Sequence, residues 1–300
     1  MKIFIPSFRR PMALTTPFLL EEDGVTDYVI LLRNFAEYRA YSQNPKLRRS
    51  SLIVLPEDRP LNAAREYARS LVATGEWVLF CDDNIKGFLM PKLRFYRDYS
   101  EVPLKRGEKM VTRLKWQSTL NVRVSFRKFY EEVVLDTIMY AEAQGAQLAG
   151  FSPHENPAFR QKKWTNIGYC NGKMFVVQKS PLHWNQCQNI GSAGEDYALT
   201  AAFLLEHGKV IVNRWGHPER RHYEPGGCGV YRERLSSMIA AQQDLMGRYP
   251  GLLCPKHGTH EGELRLRFHT LEQVEKWRTA MMAAGCDPNY RDPLAVSPAA

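Results

Sequence analysis

The chain has 300 residues, 44% of them hydrophobic, and a formal net charge of +9 at pH 7. This length and composition support one large α/β domain, or one domain with an appendage, around a full core. No apolar run reaches the roughly 20 residues of a membrane-spanning helix and no signal-peptide pattern opens the chain, so we expect a cytoplasmic protein without a membrane partner. The six cysteines lie far apart, which favours free thiols over a zinc site or a disulfide framework. The positive charge suits a polyanionic partner.

The first elements alternate between strands and helices. Lys2 to Ile5 is an apolar strand, and the loop from Pro6 to Arg10 carries arginines suited to a phosphate or a base edge, with a basic surface turn as the alternative. Asp27 to Leu32 and Ser51 to Leu55 are predicted to be the next two strands. Strands that alternate with helices at this spacing predict a parallel sheet with right-handed crossovers.

A helix and a buried strand then lead to an acidic turn. Leu61 to Val72 has apolar residues at helical spacing, and Trp77 to Cys81 is a continuous apolar run, as expected for a strand covered on both faces. The strand ends in Asp82-Asp83-Asn84, where adjacent carboxylates repel each other unless a cation or hydrogen-bond donors neutralise them. Ligands of open α/β sheets bind at the carboxyl ends of strands, so this turn is a candidate ligand site, with a simple polar turn as the alternative.

Three segments, 44–49, 91–117 and 159–164, mix basic residues with aromatic or polar ones. Cations for phosphates and rings for an extruded base are typical of nucleic-acid contacts, and a solvated loop is the alternative for each segment. The residues predicted to bind nucleic acid are Arg48, Arg49, Arg106, Lys109, Arg113, Lys115, Arg160, Lys162 and Lys163.

The second half of the chain continues the α/β pattern. Ser125 is expected to cap a long amphipathic helix that ends at Gly145 and packs in the core. Glu195 and Asp196 open a helix that runs to His207, where acids are favoured by the helix dipole. Thr270 and Gln273 have the spacing of a capping box at the start of a late helix. The predicted strands are Gln147 to Phe151, Gly172 to Gln178, Lys209 to Asn213 and an alternating strand from Gly262 to Phe268.

The loop after the first strand, the acidic triplet and the Glu195-Asp196 helix together resemble GT-A glycosyltransferases over about residues 1–225. The resemblance implies an α/β fold with a mostly parallel central sheet flanked by helices and a small C-terminal α/β extension. It also implies that a divalent cation, manganese or magnesium, binds at the triplet and bridges the phosphates of a nucleotide-sugar donor, with a UDP-sugar as the expected donor.

The same resemblance assigns roles to particular residues. Asp196, or else Glu195, would be the general base that accepts the proton of the attacking hydroxyl. The metal ligands would be Asp82, Asp83 and Asn84 with either His217 or His222, and the Asn in place of the usual Asp leaves the main ligand open between Asp82 and Asp83. The donor-binding residues would be Pro6, Ser7, Arg9, Arg10, Arg33, Asn62, Arg65 and Asp82.

The strand Val29-Ile30-Leu31-Leu32 and the basic segment 91–117 resemble one branch of this family, the phage and TET/JBP-associated DNA glycosyltransferases. That resemblance implies transfer of a sugar to 5-hydroxymethylcytosine or 5-hydroxymethyluracil in DNA, by a monomer or weak dimer acting in a host cell if the protein is phage-encoded. The alternatives are a glycan or small-molecule acceptor, a sugar nucleotidyltransferase, or a non-catalytic nucleic-acid-binding protein. The expected layout is a core of 1–229 with the basic insertion at 91–117, and an extension of 230–300 packed on the core.

Overall fold

The computed structural model describes residues 1–56, 61–92, 99–102, 111–114, 121–156, 163–180, 194–220, 231–256 and 261–286. In chain order, the strands are β1 (Lys2–Ser7), β2 (Tyr28–Leu32), β3 (Leu52–Val54), β4 (Trp77–Cys81), β5 (Gly87–Pro91), β6 (Tyr99–Val102), β7 (Val111–Leu114), β8 (Asn121–Val124), β9 (Leu148–Phe151), β10 (Trp164–Thr165), β11 (Met174–Gln178), β12 (Ile211–Asn213), β13 (His217–Glu219), β14 (Leu253–Pro255) and β15 (Leu264–Leu266). The α-helices are α1 (Thr16–Glu22), α2 (Phe35–Ser42), α3 (Leu61–Ser70), α4 (Phe126–Phe129), α5 (Leu135–Gln144), α6 (Glu195–His207), α7 (Tyr231–Arg248) and α8 (Leu271–Ala283).

An eight-stranded sheet with the strand order β10-β12-β9-β11-β4-β1-β2-β3 forms the centre of the fold. Strands β1 to β4 are parallel to one another, and β9 is parallel to β12. Strand β11 runs antiparallel between β4 and β9, so its first residues lie at the edge where β4 and β9 end. This α/β sheet flanked by helices confirms the fold class expected from the GT-A resemblance.

Two hydrophobic clusters form the core, and alternate residues of the central strands belong to different clusters, as the two-residue period of a strand requires. Phe4, Phe80 and Phe175 belong to the first cluster, with ring centroids 6.0 and 5.1 Å apart in succession. Ile5 and Val176 belong to the second, which includes residues of α4 and α5. Helices α6, α7 and α8 contribute to the first cluster, so the C-terminal elements pack into the same core as β1 and β4.

Several short strands lie outside the central sheet, and of these only β15 overlaps a predicted strand. Strands β13, β5 and β8 form a three-stranded antiparallel sheet, and β14 pairs with β15. Strands β6 and β7 pair within the segment 91–117, for which the sequence shows no regular period. The predicted alternating strand after Gly262 is shorter than expected, because β15 covers three residues only.

The helix boundaries agree with the predicted caps. Ser125 Oγ accepts a hydrogen bond from Lys128 N, and Gly145 ends α5 with a φ of 68°. A π-helical turn, Tyr130–Val134, joins α4 to α5. Thr270 and Gln273 form the predicted capping box. Among the described cysteines, the thiols of Cys81, Cys170, Cys254 and Cys286 are free, as expected. Within these ranges, no helix has both the length and the apolarity that a membrane crossing requires.

Candidate active site

The ends of β1 and β4 are joined through Asp83. Ser7 Oγ donates a 2.6 Å hydrogen bond to Asp83 Oδ2, and Arg10 Nη1 forms a 2.7 Å ion pair with Asp83 Oδ1. The Ser7 hydroxyl also shares a 2.6 Å hydrogen bond with the Tyr41 hydroxyl. Burial raises the pKa of Asp83, while Arg10 and Ser7 act to lower it. Both oxygens of this buried carboxylate therefore contact protein groups that hold the first loop against the acidic turn.

Thr15 and Thr16, at the start of α1, fix the conformation of the acidic turn. The backbone N–H groups of Thr15 and Thr16 donate to Asp83 O at 3.0 and 3.2 Å. Thr16 Oγ1 donates to Asp82 O at 2.5 Å and accepts from Ile85 N at 2.9 Å. The turn is thus held by backbone contacts on both sides, and Asp82, with a side chain 15% exposed, is the less buried of its two acids.

Asp82 lies between two arginines. Its Oδ1 is 3.8 Å from Arg65 Nη2, and its Oδ2 contacts Arg220 Nη1. Its backbone N–H donates to Lys173 O at 2.7 Å, which places the residue before β11 directly beside the acidic turn. Asn84 Oδ1 is buried and has no hydrogen-bond partner among the residues described. The turn therefore offers one paired carboxylate and one amide oxygen to a ligand.

Arg65 connects three elements at this edge of the sheet. Its Nη1 forms a 2.6 Å ion pair with Glu195 Oε1, and its Nη2 donates to Gly172 O at 2.9 Å. The guanidinium lies 5.0 Å from the centre of the Phe175 ring. These contacts make Arg65, which is predicted to bind the donor, an internal cross-link from α3 to β11 and α6.

Asp196 faces a different set of partners from Glu195. The Tyr169 hydroxyl donates a hydrogen bond to Asp196 Oδ2, and Gly172 N lies 3.4 Å from the same oxygen. The backbone N–H of Tyr197 donates a hydrogen bond to Asp196 Oδ1 at 3.0 Å. Burial, followed by the Glu195 charge, raises the pKa of Asp196 to about 7. Of the two acids, Glu195 is the one that shares a guanidinium with Asp82.

Gly172 passes close to the Arg65–Glu195 ion pair. A Cβ atom at this position would lie 2.9 Å from Glu195 Oε1 and 3.4 Å from Arg65 Nη2. Any other residue here would therefore displace the carboxylate or the guanidinium. Neighbouring Lys173 is also buried, and burial lowers its pKa to about 8. The negative charge of Glu155 acts in the opposite direction and raises this pKa.

The predicted metal ligands are only partly brought together. His217 lies buried in β13, with its Nδ1 2.8 Å from Ser152 O, and His222 lies outside the described residues. Among the residues described, no three His, Cys, Asp or Glu side chains are grouped to hold a metal ion. Magnesium is commonly held by one or two carboxylates together with substrate phosphates. Asp82 and Asn84 fit a cation of that kind, provided that Arg220 leaves the Asp82 carboxylate.

The remaining predicted donor-binding residues lie near the ends of β1 and β2. Arg9 and Arg33 both approach the Phe8 ring, at 4.7 and 5.0 Å from its centre. Arg9 has a left-handed φ of 55°, and its backbone N–H donates to Glu37 at 3.0 Å. Pro6 lies in β1 opposite Leu31. The side chain of Asn62 lies outside the described residues.

The predicted nucleic-acid contacts do not form one described surface. Arg48 and Arg49 precede β3, while Lys163 precedes β10, and these two strands are the opposite edges of the central sheet. Lys163 forms a 2.7 Å ion pair with Asp136 and lies 5.0 Å from the Trp164 ring centre. The side chains of Arg106, Lys109, Arg113, Lys115, Arg160 and Lys162 lie outside the described residues.

Sequence reasoning missed Arg220, Tyr169 and Lys173 as parts of this site. The segment from Gly168 to Gly172 has the composition of a turn, and that was its only signal. Arg220 follows a three-residue strand without alternation, so no pattern relates it to Asp82.

Comparisons with known proteins add little to this geometry. No family model and no curated protein matches the sequence. One similar solved structure is that of S. aureus TarS, residues 1–349, which is 11% identical over 82% of this chain and 65% of that chain, with a TM-score of 0.35. The chain thus spans less than two thirds of that structure, and a similarity at this level assigns neither a family nor an activity.

Proposed function

We propose that the protein is a glycosyltransferase that moves a sugar from a nucleoside-diphosphate sugar to a hydroxyl group. The observation that carries this proposal is the link from Asp82 through Arg65 to Glu195 at the carboxyl edge of the α/β sheet. Such edges are where open α/β sheets bind their ligands. The link places Asp82, which could hold a cation for the donor's diphosphate, near Glu195, which could accept the proton of the acceptor's hydroxyl group.

The reaction requires one bond to form as another breaks. The acceptor oxygen attacks the anomeric carbon of the sugar, and the bond from that carbon to the diphosphate oxygen breaks with its electron pair leaving on the diphosphate. Glu195 accepts the proton of the attacking hydroxyl as the general base, since Oδ2 of Asp196 is already bound to Tyr169 and Gly172. Asp82 and Asn84 would hold manganese or magnesium, which would supply positive charge to the leaving diphosphate.

We further propose a hydroxymethylated pyrimidine in DNA as the acceptor. The net charge of +9 and the basic segments support a polyanionic substrate. A target hydroxymethyl group within a duplex requires base flipping or groove access. A glycan or small-molecule acceptor is the alternative, since the basic residues near β3 and β10 lie at opposite sheet edges.

Mass spectrometry of nucleosides tests this proposal directly. The protein is incubated with hydroxymethylated DNA and a panel of nucleoside-diphosphate sugars, with unmodified DNA as the control. A sugar adduct on the hydroxymethylated nucleoside alone is the expected result. Consumption of a donor with glycans but not with DNA would contradict the acceptor and keep the enzyme class. Failure to consume any donor, or synthesis of a nucleotide sugar from a sugar phosphate, would overturn the class.

A further inference from the structure

Lys173 lies at the carboxyl edge of the central sheet, between the ends of two other strands. It directly precedes β11, and its backbone carbonyl accepts a 2.7 Å hydrogen bond from Asp82 N at the end of β4. The antiparallel register between β11 and β9, continued by two residues from its last pair, places Lys173 opposite Ser152. The backbone of the lysine is therefore fixed between the acidic turn and the end of β9.

The buried amine of Lys173 has no partner for its charge in the part of the chain that the structure describes. The residue is 3% exposed, its pKa of about 8 leaves it mostly protonated at pH 7, and its Nζ forms neither a hydrogen bond nor an ion pair with a described residue. The charge that acts on it is that of Glu155, an exposed residue. A buried ammonium group is costly unless an anion pairs with it, so this position is suited to an anionic group of a ligand.

The strand order indicates which part of the donor lies beside Lys173. Along the sheet, β2, β1, β4, β11 and β9 follow one another. In the proposed function, the nucleotide contacts the loops after β1 and β2, and the diphosphate lies at the acidic turn after β4. The group that follows the diphosphate in the donor is the sugar, and the next strand along the edge is β11. The sugar is therefore the part of the donor that lies nearest to Lys173.

We propose that the transferred sugar carries a carboxylate, as a uronic acid does, and that this carboxylate pairs with the Lys173 ammonium group. This inference rests on the proposed function and names the class of its donor. A neutral sugar offers only hydroxyl groups, which would leave the buried charge without a counter-ion. A carboxylate supplies both the hydrogen-bond acceptor and the opposite charge.

Calorimetric titration with UDP, UDP-glucose and UDP-glucuronate, each in the presence of manganese, tests this assignment. The two sugars differ only in whether carbon 6 is an alcohol or a carboxylate. The unchanged chain should bind UDP-glucuronate about tenfold or more tightly than UDP-glucose, as expected for a hydrogen bond between charged groups. Lys173→Met should abolish this preference and bind UDP as tightly as the unchanged chain does.

Lys179→Met is the matched control, because Lys179 directly follows β11 and therefore lies at the opposite edge of the sheet. This variant should keep the preference of the unchanged chain. Without ligand, Lys173→Met should melt at a temperature no lower than the unchanged chain, since methionine keeps most of the side-chain volume and removes a buried charge. A lower melting temperature would give Lys173 a structural role and overturn the proposal.

Equal affinity of the unchanged chain for UDP-glucose and UDP-glucuronate, or a preference that survives in Lys173→Met, would overturn the carboxylate pairing and leave the proposed function standing. Weaker binding of hydroxymethylated DNA by Lys173→Met, without a change in donor binding, would do the same and assign the ammonium group to an acceptor phosphate. Absence of UDP binding to the unchanged chain at any manganese concentration would overturn both proposals.

Discussion

Arg65 and Glu195, which are 130 residues apart in the sequence, form a 2.6 Å ion pair that joins α3 to the first turn of α6. The other end of the same guanidinium lies 3.8 Å from Asp82. The acid proposed for the donor site and the acid proposed for the acceptor site therefore share one counter-ion. A change of charge at either acid should therefore change the electrostatic interaction of Arg65 with the other acid.

Replacing Arg65 with Met should destabilise the fold. The change leaves the Glu195 carboxylate without its partner at a buried site, and breaking a buried ion pair in this way costs about 3–5 kcal/mol. The free energy of unfolding is measured by urea titration. Lys276→Met, which breaks an exposed pair with Glu272 on α8, is the control and should change it by less than about 1 kcal/mol. A loss for Arg65→Met as small as that of the control would contradict the cross-link.

Asp82 and Asp83 should respond differently to replacement by Asn. Asp82→Asn should lower the ligand-free melting temperature less than Asp83→Asn does, because Arg65 keeps its ion pair with Glu195, and it should abolish the rise produced by UDP with manganese. A ligand at a hundredfold excess over its dissociation constant stabilises by about 2.7 kcal/mol, which is readily measured by thermal shift. Asp83→Asn should lower the ligand-free melting temperature, because Arg10 then lacks its buried counter-ion. A full ligand-induced rise in Asp82→Asn would remove Asp82 from the donor site.

Steady-state kinetics distinguish the two acids of α6. Glu195→Gln should lower kcat about a hundredfold or more while UDP binding persists, because the change removes a general base and keeps its size. Asp196→Asn should lower kcat less, since an amide oxygen can still accept the hydrogen bond from the Tyr169 hydroxyl. If Asp196 is the base instead, the order of the two effects reverses, and activity should rise with pH through about 7, where its carboxyl group ionises.

His207 should make the fold less stable in mild acid. Burial, followed by the Arg278 charge, lowers its pKa to about 4 from an ordinary value of 6.5. Between these two values the unfolded chain binds the proton that the folded chain refuses, so stability falls as the pH falls from about 6.5 to 4. His207→Gln should lose this contribution. Melting temperatures of both chains at pH 7 and pH 5 provide the measurement, and an equal fall in both would contradict it.

Seven of the eight central strands could be predicted from the sequence because each is a mainly apolar run, whereas β10, with the two residues Trp164–Thr165, was not predicted. The segment Trp77–Cys81 is buried along its whole length, and the predicted strand matches it residue for residue. Strands β8 and β13 could not be predicted, because NVRV and HPE contain no apolar run, and β5 was not predicted although GFLMP is mostly apolar and buried.

Several of the charged residues of the site could be predicted from the sequence, but the contacts between them could not. The Asp82-Asp83-Asn84 triplet was identifiable because acids at the end of an apolar strand are unusual. That Asp83 would be held by Arg10 and Ser7 depends on the parallel pairing of β1 with β4, which brings two distant loops to one edge. Arg220 reaches Asp82 through a pairing of β13 with β5 that no sequence pattern indicates.

Gly172 has a consequence for how this site can be probed. A methyl group at position 172 would press on Glu195 Oε1, at 2.9 Å from the added carbon, without removing a charge or a hydrogen-bonding group. Substitutions of Arg65 or Glu195 change the electrostatics of the site and its shape at once. In Gly172→Ala, the added methyl group separates the Arg65 guanidinium from the Glu195 carboxylate by steric contact alone. The dependence of their electrostatic interaction on distance can therefore be measured in a chain of unaltered net charge.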